Sequence, residues 1–434
     1  MIGHISAPKP FPIMKSNNLK KIINQIKLAS AGLLDLSAGQ RTSVLLTLAK
    51  LLSSQKKLII QANLKDIKTA RRMGKTESFI ERLSLDNAKI ISMADSLKQI
   101  AGLPDSLFKA LKQTKRPSGL KIKKVVYPLG LVAIIYESRP NVTIDAFSLC
   151  FKSGNAVILK GGEEIAETNK ILVGLIKQAL TKAKINKNIV LDLSSIGREL
   201  TLDLTRNQQI DCLIPRGGKG LINFVKENAM VPMIITGASV VHTYVDESAD
   251  LAVAKKVILN AKTRRVSICN ALDVILLHKN IYQNFLKLIA AGLAEKNVEI
   301  RADKKSFATL KKINYLKLKN AVEADFDTEF LDYILGVKVV NNFIEAIAHI
   351  QHHSLGHSEA IITRNKKQAE EFFRKIDAAC LYLNTSTQFS DGGEYGLGAE
   401  LGISTQKLHA RGPFAYEALT TYKYLAESHG ATRK

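Results

Sequence analysis

An α/β fold with doubly wound parallel sheets is the class this sequence predicts, and three observations carry the prediction. From Gly119 onward, short apolar runs alternate with segments of helical spacing. The run 131–135 is continuously apolar, the pattern of a strand covered on both faces, where a half-exposed strand would alternate. The chain has 434 residues, too many for one ordinary core and enough for two or three domains.

Taken in order, residues 19–114 read as helical. Within 41–55, Val44, Leu48, Leu51 and Leu52 share one face. Further helical spacing runs around 80–83 and 90–100, and Gly102-Leu103-Pro104-Asp105 interrupts it. The expected strands are then 131–135, 156–159, 189–193, 212–214, 233–235 and 241–245. Between the second and third lies a helix with Leu172, Leu175, Ile176, Ala179 and Ala183 on one face. After Asp246 a second α/β unit begins, with strands at 272–277, 337–340, 360–363 and 381–383. Its helix 366–376 places Ala369, Phe372, Phe373 and Ile376 in the core. The glycine-rich stretch 384–412 is long for a connection, which favours a binding or intersubunit role.

Composition narrows the function. No apolar run approaches the ~20 residues that span a bilayer, and residues 1–21 lack the apolar centre of a signal peptide, so a cytoplasmic protein is expected. Cys150, Cys212, Cys269 and Cys380 lie far apart without a CxxC pair, which argues against a zinc ribbon or a disulfide scaffold; no metal is expected. The net charge of +24 is spread along the chain, Trp is absent and no aromatic RNA-binding motif appears, so nucleic acid is not the expected partner. A positive field equally draws in small anionic substrates and cofactors.

Cys269 is the first candidate catalytic residue. Lys262, Arg264 and Arg265 precede it within seven residues, and nearby cations favour the thiolate, the nucleophilic form. By itself this competes with the commoner case of a buried, inert cysteine. Two loops follow expected strands: Lys160-Gly161-Gly162 and Pro215-Arg216-Gly217-Gly218-Lys219-Gly220. Glycines there let backbone approach a pyrophosphate and the adjoining cations neutralise it, although ordinary strand-to-helix turns look the same. No GxGxxG follows a strand; the nearest, from Gly396, has Leu401 in the third glycine position. Gly74-Lys75-Thr76 lacks the upstream glycine of a P-loop, where Thr69 stands.

Six ordered blocks carry a resemblance. They are Pro128-Leu129-Gly130, Tyr136-Glu137-Ser138-Arg139-Pro140-Asn141-Val142-Thr143, Lys152-Ser153-Gly154-Asn155-Ala156, Ile214-Pro215-Arg216-Gly217-Gly218, the run from Asn260 through Cys269 to Ala271, and Ser404-Thr405-Gln406-Lys407-Leu408-His409-Ala410-Arg411-Gly412-Pro413. Together they resemble the γ-glutamyl phosphate reductase family of the aldehyde dehydrogenase superfamily. The resemblance implies an aldehyde-dehydrogenase-like fold: a variant Rossmann cofactor domain, an α/β catalytic domain and a small oligomerisation element. On that basis the expected organisation is an NADP-binding domain at 1–245 (helical 1–115, parallel sheet 120–245), a catalytic domain at 246–383 carrying Cys269, and a C-terminal segment 384–434 that returns to the active site and offers an oligomerisation surface.

The resemblance also implies roles. Cys269 matches the attacking thiol, and Asn141 the asparagine that forms the oxyanion hole with the Cys269 N–H. Lys160 matches the lysine at the adenosine ribose and its 2′-phosphate, with Gly161, Gly162, Arg216, Gly217 and Gly218 as further cofactor contacts. Glu329 falls where a glutamate holds the nicotinamide ribose. Ser138, Arg139, Arg265, Lys407, His409 and Arg411 are the candidates for the substrate's phosphate and carboxylate. The implied reaction is NADPH-dependent reduction of L-glutamyl 5-phosphate to glutamate 5-semialdehyde through a cysteine thioester, in proline biosynthesis. A homo-oligomer is expected, and the lability of the acyl phosphate points to glutamate 5-kinase as a partner. Four positions depart from the family: Ser239 stands for a glycine, Val241 for a cysteine, Val266 for a proline and Arg264 for a glutamine. Ile235 is apolar where aldehyde-oxidising relatives carry a general-base glutamate. The alternatives are another aldehyde dehydrogenase or acyl-phosphate reductase, or a basic binding protein without catalysis.

Overall fold

Ser37 shows how local sequence sets the elements. Its hydroxyl accepts from the Gln40 N–H at 3.2 Å while the Gln40 side chain accepts from the Ser37 N–H at 2.9 Å, a capping box that starts a helix at Ala38. The structure, a computed structural model, describes residues 16–433 other than 196 and 198; residues 1–15 of the expected first domain lie outside it. The chain divides into two compact units.

The first unit runs to Ile235 and takes back Gly396–Gly402 and the chain from Phe414 onward. It begins with helices α1 (Ser16–Ser30), α2 (Ala38–Ser54), α3 (Lys56–Arg72), α4 (Glu77–Leu83) and α5 (Asn87–Gly102). Val44, Leu48, Leu51 and Leu52 are buried, as their spacing predicts. The helical reading to 114 is corrected: α5 ends at Gly102, and β1 (Ala110–Lys115) pairs antiparallel with β2 (Lys121–Pro128). Five of the six β1 residues are exposed, so the segment carries no apolar signature, and only its pairing with β2 makes it a strand. The strand Thr420–Glu427 pairs with the other edge of β2, closing a three-stranded antiparallel sheet.

The core of the unit is a four-stranded parallel sheet. It is built from β3 (Leu131–Tyr136), α6 (Asn141–Lys152), β4 (Ala156–Gly161), α7 (Ala166–Lys182), β5 (Val190–Asp192), α8 (Glu199–Arg206), β6 (Cys212–Arg216) and α9 (Lys219–Asn228), with strand order β5-β4-β3-β6. Every β3 and β4 residue is buried, which is why both read as unbroken apolar runs. The expected strand at 233–235 reduces to a single bridge, Leu213 with Met233. Pro232 offers its carbonyl to Leu213 N but has no N–H to extend a ladder.

The second unit, Thr236–Tyr395 with Ile403–Pro413, holds a seven-stranded parallel sheet. Its elements are β7 (His242–Val245), α10 (Leu251–Thr263), β8 (Val274–His278), α11 (Tyr282–Glu295), β9 (Glu299–Ala302), α12 (Lys304–Lys312), β10 (Leu318–Asn320), β11 (Ile334–Val340), α13 (Phe343–His353), β12 (Ser358–Ile362), α14 (Lys366–Lys375) and β13 (Cys380–Leu383). The order is β10-β9-β11-β8-β7-β12-β13. The strand at 241–245, grouped by sequence with the first sheet, is therefore β7 of the second, between β8 and β12. A short β-prone run encodes a strand but not its neighbours. In α14, Ala369, Phe372 and Ile376 are buried while Phe373 is 42% exposed, correcting its core assignment. Ala369, Phe372 and Ile376 keep the i, i+3, i+7 spacing of the core stripe, and Phe373, about 100° round from Phe372, falls at its margin.

Candidate active site

Cys269 lies in the turns that join α10 to β8, in the second unit. Among the described residues it is the only cysteine that is not buried. Burial drives the Cys150 thiol far up and the Cys212 thiol up to about 12, so both stay inert thiols near neutrality.

A short segment splints the loop that carries Cys269. Gln388, buried on the turn Thr387–Phe389, donates from its amide to Ala261 O at 3.0 Å and Arg265 O at 3.1 Å, and accepts from Arg264 Nη1 at 3.1 Å. Thr387 Oγ1 donates to Asn270 O at 2.8 Å, and Asn270 Nδ2 donates to Gln388 O at 3.3 Å and Ser390 O at 3.0 Å. Arg264, one of the four departures, thus has a defined partner. Arg265 itself is exposed in this loop.

Ser239 and Glu329 meet the nucleophile from the other side. The buried Ser239 hydroxyl donates to the Cys269 carbonyl and lies 3.2 Å from Glu329 Oε1. Asp273 fixes the segments that bear them, accepting from Val241 N at 3.0 Å and Phe330 N at 3.1 Å. Burial lifts the Asp273 carboxyl to about 7 despite the nearby Lys262 ammonium. Burial likewise lowers Lys262, whose Nζ donates to Leu272 O at 3.0 Å, to about 8.

The last substrate candidates sit on one carboxylate. Lys407 ion-pairs with Asp377, and Arg411 Nη2 lies 2.5 Å from Asp377 Oδ1; both hold that carboxyl below its ordinary range. His409 is exposed in the turn between them.

The remaining candidates gather at the carboxyl edge of the first unit's sheet. Register aligns Ile135 with Lys160 and Tyr136 with both Gly161 and Arg216. Such edges are where parallel sheets bind ligands. Lys160 is buried and its Nζ donates to Gly161 O at 3.0 Å. Arg216 donates to Leu401 O, and its buried Nε makes no hydrogen bond. Ser138 has φ 44°, unusual for a serine, and its N–H donates to Glu164 Oε1 at 2.8 Å. Gly218 N–H donates to Glu137 Oε2 at 2.9 Å. A Cβ at Gly217 would lie 2.4 Å from that same Glu137 oxygen, one at Gly161 2.4 Å from Asn169 Nδ2, and one at Gly162 2.2 Å from Glu164. A side chain at any of the three positions would thus displace one of the protein's own side chains, most tightly at Gly161, where Ser194 Oγ and Ile165 Cδ1 also lie within 3 Å.

Asn141 is the first residue of α6, with Arg139 just ahead of it on a half-buried stretch. Its amide donates to Asp145 Oδ2 at 3.0 Å, one turn along the helix. Burial lifts the Asp145 carboxyl to about 6, against the lowering effects of Asn141 and Arg216. Asp145 was missed by sequence reasoning, although its i,i+4 spacing from Asn141 was a readable signal. Gln388, Asn270 and Asp273 had none, because their partners lie far off in sequence or are backbone atoms.

Comparisons with known proteins bear on this arrangement. Residues 9–323 match the model of the aldehyde dehydrogenase family. The chain is 47% identical over 417 residues to the γ-glutamyl phosphate reductase of Legionella pneumophila (strain Corby), covering 95% of this chain and 99% of the relative. The crystal structure of the γ-glutamyl phosphate reductase of Thermotoga maritima aligns with a TM-score of 0.91 at 40% identity, over 96% of this chain and 100% of that one. The fold extends to the glyceraldehyde-3-phosphate dehydrogenase of Methanocaldococcus jannaschii, solved in complex with NADP, with a TM-score of 0.69 at 16% identity over 98% of this chain and 97% of that one.

Proposed function

The chain belongs to the aldehyde dehydrogenase family and, within it, to the γ-glutamyl phosphate reductases, and from that premise we propose that Cys269 is its nucleophile, Asn141 its oxyanion donor and NADPH its reductant. The enzyme is an oxidoreductase that reduces glutamyl phosphate in proline biosynthesis. The observation that carries the assignment is the partly exposed Cys269 in a loop splinted from both sides, while Cys150, Cys212 and Cys380 are buried.

We assign the cofactor to the first unit. Its strand edge fits an anionic dinucleotide: Lys160 and Arg216 stand at the ends of the two strands that flank β3, Arg216 Nε makes no hydrogen bond, and two backbone N–H groups there already hold carboxylate oxygens. Lys160 would meet the adenosine ribose and its 2′-phosphate, Gly161, Gly162 and the Arg216–Gly218 turn the pyrophosphate, and Glu329 the nicotinamide ribose. When bound, NADPH supplies the hydride that reduces the acyl group.

The chain's own residues do the rest. The Cys269 thiolate attacks the γ-carbonyl carbon, and Asn141 Nδ2 with the Cys269 N–H stabilises the oxyanion; losing one such donor typically costs about 10²–10³ in rate. Asp145 positions Asn141 by holding its amide. Phosphate leaves without a strong general acid, forming the thioester, and release of the aldehyde returns the thiolate. Ser138, Arg139, Arg265, Lys407, His409 and Arg411 are the cations and donors for the substrate's two anionic ends. The exposed strand Thr420–Glu427, with Tyr422, Tyr424 and Leu425 outward, offers a self-association surface.

The reverse reaction tests this. With glutamate 5-semialdehyde, phosphate and NADP⁺ supplied, the wild type should form NADPH only when phosphate is present. Cys269→Ala should lower that rate at least about a thousandfold. Turnover without phosphate would identify an aldehyde-oxidising enzyme instead.

A further inference from the structure

We infer that the Ser239 hydroxyl is a positioning residue that holds the Cys269 peptide and shares its one proton with Glu329. The inference rests on the reading of Cys269 as nucleophile and Glu329 as the ribose carboxylate. Ser239 stands where the family resemblance leads one to expect glycine, so its side chain adds bonds that a glycine has no atoms to make.

The geometry is explicit. Ser239 is fully buried, just ahead of β7, with Val241 N anchored to Asp273 two residues on. Its Oγ donates to Cys269 O and lies 3.2 Å from Glu329 Oε1. A hydroxyl carries one proton, while a carbonyl oxygen and an ionised carboxylate only accept. The two acceptors therefore compete for the same hydrogen. A sugar diol is a donor, and hydrogen bonds from one to Glu329 offset part of the charge with which that carboxylate draws on the Ser239 proton. Engagement of Glu329 by a ribose shifts the serine proton further towards the Cys269 carbonyl. That bond fixes rotation about the Cys269 Cα–C bond from one side. The Asn270 bonds to Thr387, Gln388 and Ser390 fix the following residue. Loading of the cofactor thereby firms the peptide that carries the nucleophile.

This arrangement predicts a split between kcat and KM. Removing the hydroxyl loosens the nucleophile but takes no acceptor away from the ribose. In Ser239→Ala and Ser239→Gly, kcat of the reverse reaction should fall about tenfold, the scale of one misplaced contact at a reacting group, while KM for NADP⁺ does not rise. Ser239→Thr, which keeps the hydroxyl, should return kcat to within about threefold of wild type. A direct signature comes from protein labelled with carbonyl-¹³C cysteine. In infrared difference spectra, NADP⁺ should shift the Cys269 carbonyl band to lower frequency in the wild type and not in Ser239→Ala. Wild-type kcat in both the alanine and glycine variants, or the same NADP⁺-induced band shift in Ser239→Ala, overturns the inference. Cys269→Ala separates the levels: if it retains turnover, the underlying assignment fails; if it is inactive while Ser239→Ala is unaltered, only the role of Ser239 fails.

Discussion

Replacing Gln388 with alanine should loosen one end of the nucleophile loop without unfolding the protein. The side chain makes three hydrogen bonds: two donated, to Ala261 O at 3.0 Å and Arg265 O at 3.1 Å, and one accepted from Arg264 at 3.1 Å. At a net ~1 kcal/mol each, the sum is ~3 kcal/mol. Ala261 O keeps a second donor, Leu272 N–H at 3.1 Å, so its share lies at the low end and ~2–3 kcal/mol is the expected loss. The bonds from Thr387, Asn270 and the Gln388 main chain survive the substitution, so the Cys269–Asn270 end stays tied while Arg264 and Arg265 are released. A shift of a few tenths of an ångström to 1 Å at the thiol then lowers kcat by about 10–100-fold. The assays are the melting midpoint, expected to fall by roughly 2–4 °C per kcal/mol for a unit of this size, and kcat with the rate of Cys269 alkylation by iodoacetamide. Gln388→Glu keeps the acceptor for Arg264 but sets a buried carboxylate oxygen against the Ala261 and Arg265 carbonyls, so it should cost at least as much as Gln388→Ala. A Gln388→Ala enzyme with wild-type kcat and an unchanged alkylation rate would refute the splint.

Two further predictions concern carboxyls that burial has lifted. Asp145 holds the Asn141 amide as a carboxylate, and its pKa is raised to about 6; activity should therefore fall as pH drops through about 6, and Asp145→Ala should lower kcat about tenfold and lose that acid limb. An unchanged limb in the variant would show that another group titrates there. Asp273 rises from 3.8 to about 7, so between those values the folded state binds more protons than the unfolded chain. Its contribution to stability is full below about 4 and is lost as pH rises towards 7, up to ~4 kcal/mol at ~1.4 kcal/mol per unit. Asp273→Asn should flatten the melting midpoint over that window, and an equally steep wild-type and variant profile would count against it.

What the sequence determined by itself is what local pattern encodes. The apolar runs within β3, β4, β6, β8 and β12 named buried parallel strands because burial on both faces favours apolar residues at successive positions. The helical face of α2 followed from its spacing, and the motif blocks around Cys269 and Asn141 pointed to the family. What only tertiary structure decided depends on partners distant along the chain. β7, buried at all four residues, reads alike as a strand of either sheet, and pairing with β8 and β12 placed it. β1 is almost wholly exposed and became a strand through β2. The splint from Gln388 crosses 123 positions to Arg265, and the Ser239 hydroxyl crosses 30 to the Cys269 carbonyl. A main-chain carbonyl is present at every residue, so no residue type announces that one of them will be the partner; only the fold brings donor and acceptor within reach.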